Sequence, residues 1–193
     1  MISETLLLQH FIAKCREIPS PRVLETGAFR SQPDRSTLHK QWVPHASAFV
    51  GTDFRSGPDV DLTADLHTLA NKAGTETFDI VISCATLEHV KYPHLAALNM
   101  LKVLKVNGLI FIHTHQTFPL HAYPNDYYRF SREALQSLFS SAMGVQAETC
   151  YEYPAQIHTE RDPQCHMHPA FLNVLLSGRK VAPTPYAFVC EGI

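Results

Sequence analysis

Residues Phe78 to Val90 read FDIVISCATLEHV, and no other stretch restricts the possible folds as sharply. Ile80, Val81 and Ile82 form an unbroken apolar run that stops at Ser83-Cys84. Such a run suits a parallel strand buried on both faces. A helix start is expected directly afterwards, with Thr86 as N-cap and Glu88 in the first turn, where a carboxylate meets the positive end of the helix dipole. A buried strand running straight into a loop and helix places a ligand crevice at the carboxyl edge of an open sheet.

Other segments fit the same scheme. Arg22 to Gly27 (RVLETG) is a short apolar strand that ends in an acidic residue and a glycine. Ala48 to Thr52 is a second strand with Asp53 at its tip, and Val60 to Leu66 (VDLTADL) a third that ends in Asp65. Asp53 follows the glycine turn by somewhat more than the roughly 20 residues of a dinucleotide-binding unit. His39 to Trp42 suggests a short helix in between. Leu7, Phe11 and Cys15 recur at helical spacing on a helix from about Ser3, which Pro19 and Pro21 terminate. Leu95, Leu98, Leu101 and Leu104 form a second helical stripe, opened by Pro93 and expected to end at a left-handed Asn107-Gly108 turn. Leu109 to His113 is the next buried strand. Ser131 caps a helix carrying Leu135, Leu138 and Phe139, and Gln146 to Tyr153 and Phe171 to Ser177 are the last strands.

Composition narrows the function. A chain of 193 residues supports one sizeable core, so residues 1–193 are expected to form a single domain. A net charge of −2 gives no electrostatic footprint for nucleic acid or an anionic membrane. No apolar run approaches the roughly 20 residues of a membrane span, and Leu6-Leu7-Leu8 is too short for a signal-peptide core. Five scattered cysteines form no CxxC pair and no disulfide framework. A reduced, cytoplasmic protein is expected.

Taken together, RVLETG, Asp53, VDLTADL and FDIVISCATLEHV resemble, in order, the motifs of class I S-adenosylmethionine-dependent methyltransferases, in the type 11-like superfamily. The resemblance implies an α/β, Rossmann-like fold: a mostly parallel seven-stranded sheet flanked by helices, with the last strand antiparallel. It also implies S-adenosyl-L-methionine as cofactor. On this reading Glu25, Thr26 and Gly27 approach the methionine part, and Asp53 accepts from the ribose hydroxyls. Phe54 packs on the adenine, Asp65 and Leu66 meet the adenine edge, and Ser83 and Cys84 line the cleft. Phe29 and Ser31 stand where further glycines are common, a departure from the pattern. It motivates a second reading, a cofactor-degenerate domain that binds a ligand or partner without catalysis. A nicotinamide enzyme shares the acidic residue after the second strand but leaves Leu87-Glu88-His89 unexplained.

The segment around 114–131 contains FPLHAYPNDYYRF, similar to a subgroup of bacterial methyltransferases associated with sugar modification. A long loop at the carboxyl edge of the sheet is the place for an acceptor site. Tyr123, Tyr127 and Tyr128 offer flat faces with polar tips, suited to a sugar or aromatic acceptor. A small-molecule or saccharide hydroxyl is therefore the expected acceptor, with His121 as base, Asp126 orienting it and His89 as the other base candidate. Asp126 paired with Arg129 is the structural alternative. Twelve histidines raise the question of metal, with His113, His115 and His121 in one group and His158, Cys165, His166 and His168 in another. Neither group has a regular structural-zinc spacing, so no metal is expected.

Overall fold

The computed structural model describes residues 6–121, 125–162, 164–165 and 168–190. Seven strands form one sheet: β1 (Arg22–Thr26), β2 (Ala48–Asp53), β3 (Leu62–Thr63), β4 (Phe78–Cys84), β5 (Leu104–His115), β6 (Val145–Ala155) and β7 (Ala170–Lys180). Their order is β3-β2-β1-β4-β5-β7-β6. The first five run parallel, whereas β7 is antiparallel to both β5 and β6. Strand order reverses between β1 and β4, and crevices at such switch points hold ligands in open α/β sheets.

The central strands are buried on both faces, as their continuous apolar sequences require. On one face Ile80, Ile82, Leu109 and Phe111 pack under helix α1 (Leu6–Arg16), with the Phe11 and Phe111 rings 4.9 Å apart. On the other, Val81, Ile110 and Ile112 pack with α2 (Leu69–Ala73), α3 (Pro93–Val103) and α4 (Arg132–Leu138). The proposed helix start at Ser3 lies outside the described residues. Pro93 opens α3, and the Ser131 side chain caps α4 by accepting from the Ala134 N–H at 3.1 Å. All five cysteines are free thiols. Among the described residues no helix is long and apolar enough to cross a membrane.

Two local expectations fail for identifiable reasons. Thr86 does not cap an α-helix: Leu87–His89 is a single 3-10 turn, and the Thr86 hydroxyl donates to the carbonyls of Cys84 and Thr26 instead. Pro93 then begins the real helix a few residues later. Asn107 adopts the left-handed conformation (φ 69°), but it lies within β5 rather than ending α3. The helix already stops at Val103, because Leu104 pairs with Phe78 and draws the chain into the sheet. Register shifts between Phe78 and Ile80 on β4, and the extra residues around Asn107 absorb that shift.

Candidate active site

Parallel register levels the strand tips. Thr26 of β1 pairs with Thr52 of β2 on one side and with Ser83 of β4 on the other. A cavity of about 420 Å³ opens at this edge, lined by Glu25, Gly27, Asp53, Phe54, Asp65, Leu66, Cys84 and His89 among others. Small-molecule pockets typically span roughly 300–1,000 Å³.

Gly27 has φ 71°, and a Cβ there would stand 2.2 Å from the Thr86 hydroxyl. Sequence reading attributes the glycine to close ligand approach; the nearer obstacle is Thr86, in the turn after β4. Glu25 is buried, accepts from the His39 N–H at 2.8 Å and meets His39 Nδ1 at 2.5 Å. Thr26 and Ser83 are buried, and neither hydroxyl has a hydrogen-bond partner among the described residues. Ser83 does not line the cavity, whereas its neighbour Cys84 does. Burial, with the Glu25 and Glu88 carboxylates, holds the Cys84 thiol well above its ordinary pKa, which makes it a wall rather than a nucleophile.

Asp53 reaches the cavity from β2, but not alone. Its Oδ1 accepts from the Arg55 N–H at 2.9 Å and from Arg55 Nε at 3.1 Å, while Oδ2 accepts from the Phe29 N–H at 3.4 Å. The Arg55 guanidinium lies 4.2 Å above the Phe29 ring and 5.2 Å from that of Phe54. Phe29 thus occupies the space that a glycine loop would leave open and props the arginine against Asp53. Phe54 is 53% exposed on the rim. Asp65 caps a 3-10 turn at Leu66–Thr68 and accepts from the His67 N–H at 2.8 Å. Arg55 and His67 are among the lining residues that sequence reading missed. The Asp53-Phe54-Arg55 run was the available signal for the first.

The other half of the edge is built by the segment after β5. Phe130 returns to donate to the His115 carbonyl at 2.9 Å, and the N–H groups of Tyr127 and Tyr128 donate to the Glu88 carbonyl. Arg129 clamps the segment by donating to both Asp126 oxygens and to the carbonyls of Phe118 and Pro119. Hydrogen bonds from Arg129 hold the Asp126 carboxyl well below the usual carboxylate range. Asp126 also accepts from the His121 N–H at 2.9 Å and lies 3.4 Å from His121 Nδ1. It therefore serves both the arginine and the histidine. His89 Nδ1 meets the Asn125 carbonyl at 2.6 Å, and the rings of His89 and His121 are 4.8 Å apart, edge to face. Tyr127, 42% exposed, lines the cavity, while the Tyr128 hydroxyl donates to the Lys91 carbonyl. Tyr123 and His166 lie outside the described residues. His113 and His115 point to one side of β5, and burial pushes His113 down to about 4.

A family model described as "Methyltransferase domain" matches residues 43–112, from just before β2 into β5. No curated protein matches the chain. Solved structures share its fold at low identity. A methyltransferase dependent on S-adenosylmethionine from Archaeoglobus fulgidus is 12% identical, with a TM-score of 0.63 over 90% of this chain and 91% of that one. The YcgJ protein of Bacillus subtilis is 17% identical, with a TM-score of 0.59 over 91% and 98%. The 1,6-didemethyltoxoflavin-N1-methyltransferase of Burkholderia thailandensis, solved with its substrate and S-adenosylhomocysteine, is 13% identical, with a TM-score of 0.59 over 93% and 80%. With the match across its central strands and this architecture around it, the chain has the fold of the class I S-adenosylmethionine-dependent methyltransferases.

Proposed function

We propose that this protein transfers a methyl group from S-adenosyl-L-methionine to a hydroxyl of a small molecule or saccharide. The observation that carries the acceptor reading is the clamped segment after β5, which sets two imidazoles and an exposed tyrosine face beside the cavity. The cavity fits the cofactor in size and in chemistry: a carboxylate at the tip of β2, an aromatic ring on the rim, and apolar Leu66 and Val90 inside. Asp53 is the group suited to the ribose hydroxyls and Phe54 to the adenine face. Arg55 would yield one of its contacts on Asp53.

When bound, the cofactor supplies a methyl group on a sulfonium, with a neutral thioether as leaving group. The chain's own task is alignment, plus removal of one proton. The Asn125 carbonyl only accepts, so His89 Nδ1 carries the hydrogen, and in the neutral ring Nε2 holds a lone pair. His121 Nδ1 faces the Pro119 carbonyl at 3.2 Å with the same result. Either Nε2 can take the acceptor's proton as the oxygen–carbon bond forms. Tyr127 offers its face to a sugar or aromatic ring. A net charge of −2 supports a small acceptor over a nucleic acid.

The test begins with calorimetric titration of S-adenosylhomocysteine and NAD; binding of the first and not the second is expected. Sugars, nucleotides and phenols are then screened for incorporation of labelled methyl. Tight cofactor binding with no methylated hydroxyl compound in any class would overturn the acceptor assignment.

A further inference from the structure

Glu88 is 0% exposed, and its two oxygens are treated very differently. Oε2 accepts from the Thr114 hydroxyl at 2.7 Å, whereas Oε1 has no hydrogen-bond donor among the described residues. Burying a carboxylate oxygen without a partner is costly, and such an atom asks for a cation. The groups around Oε1 are imidazoles. His115 Nε2 lies 3.2 Å away and His89 Nε2 4.0 Å away. One nitrogen of His115, one of His121 and one Glu88 oxygen all fall within 4.8 Å of one another.

In its neutral form the His115 ring turns a lone pair, not a hydrogen, towards the carboxylate. His115 Nδ1 faces Asn173 Oδ1 at 3.1 Å, directly across the β5–β7 register. The Asn173 side chain also bonds the Glu152 carboxylate, which only accepts, so the amide NH₂ points to Glu152 and the amide oxygen to His115. His115 Nδ1 is therefore the donor, and in the neutral ring Nε2 is bare. The Nδ1 atoms of His121 and His89 face carbonyls in the same way. Phe118, stacked on His115 with ring centroids 4.2 Å apart, fixes the ring plane. An outer carbonyl or amide oxygen that orients imidazole nitrogens inwards is the usual second layer of a metal site.

The spacing agrees. Two ligands each about 2.1 Å from a tetrahedral ion stand about 3.4 Å apart, close to the 3.2 Å between His115 Nε2 and Glu88 Oε1. An ion shared by the two would sit on the ring axis and leave the oxygen off to one side, where it satisfies no N–H hydrogen bond. Oε1 accordingly accepts no hydrogen bond from His115, although their atoms are 3.2 Å apart.

We propose that Glu88, His115 and His121 form a binding site for a divalent transition-metal ion of the zinc, iron(II) or cobalt(II) type, against the expectation from sequence. Two imidazoles and one carboxylate suit such ions, whereas magnesium and calcium favour oxygen ligands. Metal binding here does not depend on the identity of the methyl acceptor. If the acceptor is a hydroxyl, as proposed above, coordination to an open position would ease its deprotonation. His121 would then act as a ligand, leaving His89 as the base.

Untagged protein, stripped by chelator and checked by circular dichroism, is titrated with zinc and with cobalt(II). Bound metal is read by elemental analysis after gel filtration, and cobalt coordination by visible absorption. About one equivalent per chain is expected. His121→Ala, on the surface segment, and His115→Ala should each reduce affinity at least about tenfold, and Asn173→Ala, which touches no ion, about 10–100-fold, as for an outer-layer partner. Retention below a tenth of an equivalent by folded wild-type protein overturns the proposal. So does metal that His121→Ala leaves undiminished, because it is bound elsewhere. S-adenosylhomocysteine titration of the same stripped samples reports the cofactor site separately, so failure of one reading is not mistaken for failure of the other.

Discussion

The two halves of the carboxyl edge are built by different means. On the β1–β2–β3 side, each functional group sits at or just beyond the end of its own strand, and parallel register alone levels Thr26 with Thr52, so that Gly27 and Asp53 follow together. On the β4–β5–β7 side, the notable groups meet through side-chain contacts between distant segments: Glu88 from a turn, His115 from a strand, His121 from the returning segment, Asn173 from an antiparallel neighbour. The first half is a consequence of strand order. The second depends on which side chains the sheet happens to oppose.

If the halves divide labour in this way, damage to them should separate cleanly. His121→Ala is expected to have the largest effect, lowering turnover by about 10²–10⁴-fold while leaving S-adenosylhomocysteine affinity nearly unchanged. Steady-state kinetics on an acceptor from the screen, with calorimetry beside it, provides both readings. Parallel loss of affinity and turnover would merge the two halves.

Gly27→Ala should strike the first half through stability. The substitution forces an L-residue to φ 71° and drives a methyl into Thr86. Backbone strain and overpacking together amount to roughly 2–4 kcal/mol. Urea titration should show a lower midpoint with unchanged slope. A variant as stable as the parent would mean that Thr86 moves aside, and that the glycine serves the ligand after all.

This contrast explains what could be read in advance. Strands such as Ile80–Ile82 and Leu109–Phe111 are legible because burial on both faces demands continuous apolar sequence. Asp53 is legible as an acidic strand tip, whereas β3 is only Leu62–Thr63 and Asp65 lies beyond it, at the N-cap of a 3-10 turn. Arg55 was missed because a neighbouring carboxylate does not reveal from sequence alone that Phe29 will prop an arginine against it. Glu88 was read as a helix-dipole carboxylate, since its local sequence looks like a first turn. Its true surroundings come from residues 115 and 121, which no local pattern can reveal. The end of α3 was misplaced for a similar reason: pairing of Leu104 with Phe78 overrides the turn signal at Asn107-Gly108.

Asp53→Ala tests the first half at its ligand. Loss of a hydrogen bond to a charged group should weaken S-adenosylhomocysteine binding by about 1.5–3 kcal/mol, or roughly 10–150-fold. Unchanged affinity in a folded variant would remove Asp53 from the ribose role.

The smallest expected effect is the most diagnostic of how the first half departs from its pattern. Arg55 is about one-third exposed and donates to Asp53 from both backbone and side chain. Its Nε competes for the carboxylate oxygen that a ribose hydroxyl would use, whereas its backbone N–H does not depend on the side chain. An ion pair this exposed is worth at most about 1 kcal/mol, so removing it should change affinity only a few-fold. The sign carries the information. If Arg55 is a competitor propped up by Phe29, Arg55→Ala should tighten S-adenosylhomocysteine binding, and adding Phe29→Ala should bring little further gain. If the guanidinium instead moves to stack on the adenine beside Phe54, Arg55→Ala should weaken binding by a similar factor. Titrations at low and high salt separate the two, because screening relieves the competition and tightens binding to the parent protein only in the first case.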